Sequence, residues 1–192
     1  MRSLATFAEA TRAAAHASCR PRVEFVGPFV EAAVHVLRAE LDHTPAKGQL
    51  YRIQSGRTST DVSAVVAVTG DVAGLVIVSM AYEAARHIVS RMVGWAIDDM
   101  QDPMALSAMS ELANMVIGRA SMGLEQNGYA TTLSPPIVYM GFRAKIAPVP
   151  VPRLVIPLIT RAGEVRVETA LRSRLDDSED TGGDSGMATP AG

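Results

Sequence analysis

Cysteine is nearly missing from this sequence, with Cys19 the single one. One thiol excludes an internal disulfide framework and a zinc site built from cysteines. Its place in the N-terminal stretch also suits an incidental residue better than a catalytic one. Lysine is almost as scarce: Lys47 and Lys145 are the only two among 18 basic residues. Arginine suits planar contacts with carboxylate or phosphate, although genome composition produces the same bias. No apolar run approaches the roughly 20 residues that span a bilayer. Residues 1–20 are rich in alanine but broken by Glu9, Arg12 and His16, so they lack the continuous apolar core of a secretory signal. His16, His35, His43 and His87 do not pair with carboxylates at ligand spacing, which argues against a metal centre. No glycine-rich phosphate loop, nucleophile elbow or kinase motif is present.

The net charge is −2, and five of the 20 acids (Asp176, Asp177, Glu179, Asp180 and Asp184) follow Leu175, so residues 1–175 carry 18 basic against 15 acidic groups. So mild an excess does not call for nucleic acid. The chain is expected to be cytoplasmic and soluble, with neither a membrane nor a nucleic acid as partner.

What is there fits one domain with extensions. The 192 residues are 48% hydrophobic and 20% charged, enough to bury a substantial core. Three regions are expected: an N-terminal arm over 1–21, weakly helical or disordered; a folded body over 22–172; and an acidic, Ser- and Gly-rich disordered tail over 173–192. Within the body, Gly27-Pro28 opens a helix whose apolar residues Phe29, Ala33, Val34, Leu37 and Leu41 recur at helical spacing. Thr44, Pro45, Lys47 and Gly48 end it. Residues 50–53 and 62–69 have the β-branched content of strands, and Thr69-Gly70-Asp71 with Gly74 supplies a turn before a strand over 75–80. A short helix over 82–93 closes on Gly94. A connection with Asp98, Asp99 and Asp102 follows; it lacks the EF-hand pattern and reads as solvated. A long helix spans about 104–126 and stops at Asn127-Gly128. Pro135-Pro136 precedes a short strand over 137–139, and residues 154–160 and 165–171 form a last hairpin. These elements predict an α+β domain, a largely antiparallel sheet with helices packed on it.

The long helix carries the chemistry. Met109, Leu112, Ala113, Val116, Ile117, Ala120 and Leu124 form its apolar face. Ser107, Glu111, Asn114, Gly118, Ser121 and Glu125 recur at intervals of four, three, four, three and four, which makes one stripe away from the core. Gly118 costs about 1 kcal/mol relative to alanine in a helix interior. Small residues at Ser107, Gly118 and Ser121 would let a partner surface approach Glu111 and Asn114 closely. An amide cannot act as a base near neutral pH, but it can accept one hydrogen bond from a water and donate another, as positioning an attacking water requires. A glutamate one turn away can pair with a partner's lysine or arginine.

The segment SAMSELANMVIGRASMGLEQNGYATTLSPPIVYMG resembles the signature of the CheC, CheX and FliY chemotaxis phosphatases: Asp or Ser, three residues, Glu, two residues, Asn, and a proline some twenty residues on. Ser107, Glu111, Asn114 and Pro136 stand at those places, Pro136 one position short. VEFVGPFVEAAVHVL resembles the opening helix of CheX, VVAVTGDVAGLVIVSM its central hairpin and LVIPLITRAGEVRVETAL its last two strands. The likeness spans about 23–172 with a single copy of the motif, which favours the CheX type over the two-site CheC type. It implies a CheC/CheX-like fold and a hydrolase acting on the aspartyl phosphate of a CheY-like receiver. Asn114 would orient the water, and Glu111 would dock to the receiver's lysine. The Mg²⁺ and the phosphoaspartate would belong to the receiver, so no cofactor or metal of the chain's own is expected. A homodimer that joins its sheets is implied as well. Arg119 departs from the family, which often has Asn after the helix glycine, and this touches partner identity more than chemistry. A non-catalytic module that binds a receiver or dimerises is the alternative, and a structural part related to the flagellar switch is a weaker third.

Overall fold

The structure, a computed structural model, describes residues 2–15, 23–58, 60–141, 144–146 and 151–173. Cys19, His16 and residues 174–192 of the expected tail lie outside the described residues. Among the described residues eight strands form one sheet: β1 (Ala46–Lys47), β2 (Tyr51–Ser55), β3 (Val62–Gly70), β4 (Val72–Met80), β5 (Thr131–Leu133), β6 (Ile137–Met140), β7 (Val151–Thr160) and β8 (Gly163–Ser173). Their order is β1-β7-β8-β4-β3-β5; β2 pairs farther along β7, and β6 farther along β3. Every pairing is antiparallel. This is the α+β architecture the sequence predicts.

The central hairpin shows why the sheet carries two covers. Strand side chains alternate between faces. In β3 and β4 one parity (Ala64, Val66, Val68, Val72, Val76 and Val78) packs against helices α2 (Val26–Leu41), α3 (Tyr82–Val93) and α4 (Pro103–Gln126). The other parity (Val65, Ala67, Leu75 and Ile77) joins Ala170 and Ile146 against Ala10. Ala10 belongs to α1 (Arg2–Ala15), a 14-residue helix lying across the sheet face opposite the other three. Of the expected arm over 1–21, weakly helical or disordered, residues 2–15 form a helix. The physical reason is the apolar second face of the sheet, which Ala10 and the partly buried Phe7 help to cover.

Gly74 lies inside β4 rather than in the turn, which is made at Gly70 and Asp71; β4 accordingly starts at Val72. At φ 143°, a Cβ on Gly74 would strike the Ala170 carbonyl of the neighbouring strand, so the glycine lets β8 come close. Pro135-Pro136 split the edge strand into β5 and β6. The break is bridged by Ser134, whose N–H donates to the Ala67 carbonyl (2.9 Å) and whose hydroxyl accepts from the Ala67 N–H (3.0 Å).

Asp102 caps the start of α4 by accepting from the Met104 N–H at 2.7 Å, with Pro103 in the first turn, and two contacts near its other end hold it against the start of α2. At the other end Tyr129 meets Phe25 edge to face, with ring centroids 5.2 Å apart. Near that end Gly123 sits so close to Pro28 that a Cβ would come within 3.2 Å of its ring. The acidic connection before α4 also has structural work. Asp99 accepts from the Tyr82 hydroxyl and the Gln101 N–H, while that same hydroxyl accepts from the Met100 N–H. Among the described residues no three His, Cys, Asp or Glu side chains gather to hold a metal, and no helix is long and apolar enough to cross a membrane.

Candidate functional site

Helix α4 buries Ala105, Met109, Leu112, Ala113, Val116, Ile117, Ala120 and Leu124 against the sheet and α2. Its opposite side presents Ser107, Glu111, Asn114, Gly118 and Glu125, all exposed. Three residues of helix put Glu111 and Asn114 about 4.5 Å apart along the axis and on the same side. No hydrogen bond or ion pair with a described residue engages either side chain. A carboxylate and an amide left unengaged side by side are free to meet groups from outside the chain.

Gly118 sharpens that picture. A Cβ built there finds nothing within 4 Å, so packing inside the chain does not require the glycine. It sits in a helix interior at a cost of about 1 kcal/mol and leaves the surface beside Asn114 flat.

Ser121 does not share this exposure, and here the sequence-based stripe is corrected. Its side chain is buried, and its hydroxyl lies 2.9 Å from that of Thr131 in β5. The cause is geometric. At 100° per residue, positions 107 to 125 wander over a sector of about 80°, and Ser121 falls at the edge that β5 covers. It ties α4 to the sheet.

Two residues not singled out from sequence border the site. Met122, 52% exposed, stands two turns beyond Asn114, and His35 of α2 faces it across a furrow between the two helices. Helical spacing places Met122 within about 20° of Glu111, so its exposure follows from its position although its apolar side chain gave no sign of it.

With this geometry in view, the comparisons with known proteins are specific. The family model described as "Chemotaxis phosphatase CheX" matches residues 62–158, which include Glu111 and Asn114. The CheY-P phosphatase CheX of Thermotoga maritima is 31% identical over 121 residues, covering 63% of this chain and 78% of that protein. The chain belongs to the CheX family of chemotaxis phosphatases. That membership makes it a phosphatase, hence a hydrolase, with the CheC/CheX fold.

Solved CheX structures agree. The chemotaxis protein CheX of Desulfovibrio desulfuricans is 32% identical and superposes with a TM-score of 0.68, over 79% of this chain and 100% of that one. The CheX of Borrelia burgdorferi, solved as a CheX–CheY–BeF3–Mg²⁺ complex, is 26% identical with a TM-score of 0.66, over 79% of this chain and 100% of that chain. The expected CheX likeness and fold class therefore hold.

Proposed function

We propose that this CheX-family phosphatase hydrolyses the aspartyl phosphate of a CheY-like receiver, with Asn114 positioning the attacking water and Glu111 docking to the receiver's lysine. The observation that carries this reading is the exposed, unengaged Glu111–Asn114 pair beside the open Gly118 surface. The chemistry asks little of the chain. The Asn114 side-chain carbonyl accepts a hydrogen bond from a water and aims its oxygen at phosphorus, in line with the bond to the aspartate carboxylate. That P–O bond breaks, the carboxylate leaves on the receiver, and inorganic phosphate departs. Bound to the receiver, Mg²⁺ would supply charge neutralisation at the phosphoryl oxygens; the Mg²⁺ present in the B. burgdorferi CheX–CheY complex suits this division of labour. Glu111 holds the receiver in register through a charge-assisted contact. Ser107 and Gly118 let the receiver's surface close onto the helix. The reaction takes place in the cytoplasm.

Gly118 gives a test that separates docking from folding. Gly118→Leu adds a side chain where no described atom stands within 4 Å. It is expected to leave urea stability unchanged or raise it by up to about 1 kcal/mol. Receiver dephosphorylation is expected to fall at least tenfold, because the leucine holds the receiver off Asn114. Undiminished turnover in that variant would remove Gly118 from the docking surface.

The working unit in this reading is a homodimer joined through the sheets. The β1/β2 and β5/β6 borders are the two sides of the sheet open to pairing. Light scattering on the purified protein is expected to give twice the 20.3 kDa of one chain; the mass of a single chain at micromolar concentration would contradict it.

A further inference from the structure

The antiparallel pair α2 and α4 leaves a furrow between its helices, made of two hollows of about 420 and 490 Å³. Asn114 and Gly118 line the first, and Asn127 closes the far end of the second; along α4 that is about 20 Å. His35, Arg119 and Met122 line both, so they form the waist of one continuous furrow that begins at the proposed water-positioning amide. Arg119 is exposed, and no ion pair or hydrogen bond with a described residue engages its guanidinium. Among the described residues it is the sole arginine or lysine lining either hollow, with Glu40 at the Asn114 end and Glu31 beyond the waist.

We infer that Arg119 is a specificity-determining residue: its guanidinium selects receivers that bring a carboxylate into the waist of the α2–α4 furrow, while Met122 covers the apolar part of the same contact. This rests on the reading that a receiver docks over Asn114. Continuity argues for the receiver as occupant, since a surface seated on Asn114 and Gly118 extends directly onto Arg119. Charge argues for a carboxylate, because an unpaired planar guanidinium accepts one in a two-pronged contact that lysine cannot copy. Glu31 and Glu40 on the α2 wall repel a misplaced carboxylate and so favour register at the waist. Arg119 touches no reacting atom in this arrangement, so it acts on binding and not on the chemical step.

The test measures both quantities on the full chain with one CheY-like receiver. Binding is read on the receiver charged with beryllofluoride and Mg²⁺, and turnover on the receiver phosphorylated by a small donor. Arg119→Ala is expected to weaken binding about threefold and Arg119→Glu about tenfold or more, the latter relieved by salt, with kcat unchanged. Arg119→Lys is expected to recover only part of the loss. In the Arg119→Glu background, reversing one receiver carboxylate to arginine is expected to restore binding. Equal binding by wild type, Arg119→Ala and Arg119→Glu, with turnover intact, would overturn the inference and leave the phosphatase reading standing. Charge-dependent binding without turnover would support the inference and withdraw the hydrolytic role of Asn114. A change in oligomeric mass in Arg119→Glu would assign the furrow to a second copy of the chain and overturn it. Failure of the wild type to bind any receiver would overturn both.

Discussion

Replacing Asn114 with alanine is expected to lower the accelerated dephosphorylation of a CheY-like receiver by about two to three orders of magnitude while leaving the fold intact. The size follows from what the amide does. Fixing one water in line with the breaking bond replaces a search through orientations, and the loss of one such positioned group elsewhere costs about 100- to 1000-fold. Each tenfold corresponds to about 1.4 kcal/mol of barrier. Stability should not suffer, because the Asn114 side chain is exposed and bonded to no described residue. Alanine is also the better helix former, so a change of a few tenths of a kcal/mol in the stabilising direction is expected by urea unfolding. Asn114→Asp is expected to be as inactive, since it loses the amide donor and sets a negative charge against the phosphoryl oxygens. Glu111→Ala is expected to differ in kind: binding and turnover fall together, because the docking contact is lost along with the alignment it provides. If Asn114→Ala turned over at the wild-type rate, the water would have to be positioned by another group.

The second large effect is on stability, at a buried ion pair far from α4 in sequence. Glu168 of β8 and Arg153 of β7 are 0% and 1% exposed, with Nε and Oε2 2.9 Å apart. The other Glu168 oxygen accepts from the Ser79 hydroxyl at 2.8 Å. Arg153 donates to the Ser55 carbonyl at 2.7 Å and the Arg57 carbonyl at 2.8 Å, so one guanidinium pins the end of β2 to the sheet. Burial pulls the Arg153 pKa below its ordinary value, and the Glu168 charge pushes back. Removing the acid leaves a buried cation without its counter-charge. Glu168→Gln is therefore expected to destabilise the protein by about 3–5 kcal/mol in urea unfolding. Glu168→Leu combined with Arg153→Met is expected to cost less than the single change, although it gives up the two carbonyl contacts. A Glu168→Gln variant within 1 kcal/mol of wild type would mean that water or another group compensates the arginine.

The ion pair is not legible in the sequence, and helix α1 only in part, since residues 1–21 read as weakly helical or disordered. Arg153 and Glu168 have the strand parity opposite Leu154, Leu158, Val165 and Val167, the side that alternation alone would give to solvent, and a sequence gives no sign that two charges so placed are buried together. Helix α1 left a clue that was available. In β3 both parities are apolar, Ala64 and Val66 on one side and Val65 and Ala67 on the other, and a strand apolar on both faces needs two covers. The three helices of the body supply one cover, and the alanine-rich start of the chain supplies the other. Gly74 misled in a similar way, since a glycine near a turn reads as turn chemistry until a neighbouring carbonyl shows why it is needed. The sequence did carry the α4 pattern. Its apolar residues and the exposed Ser107, Glu111, Asn114 and Gly118 separate by helical spacing alone, because a long regular helix converts position directly into direction. Ser121 escaped that rule only because β5 reaches the side of the helix on which it lies.

In the proposed function, Asn114 on α4 positions the water that removes phosphate from a receiver. The most direct measurement is phosphate release from CheY-like receivers phosphorylated with a small donor and Mg²⁺, with this protein present at a small fraction of the receiver concentration. The wild type is expected to speed release from at least one receiver through many turnovers, and Asn114→Ala to bind that receiver yet leave release at its unassisted rate. Binding to the phosphorylated receiver with no acceleration by the wild type would contradict the proposed function and make this chain a receiver-binding module.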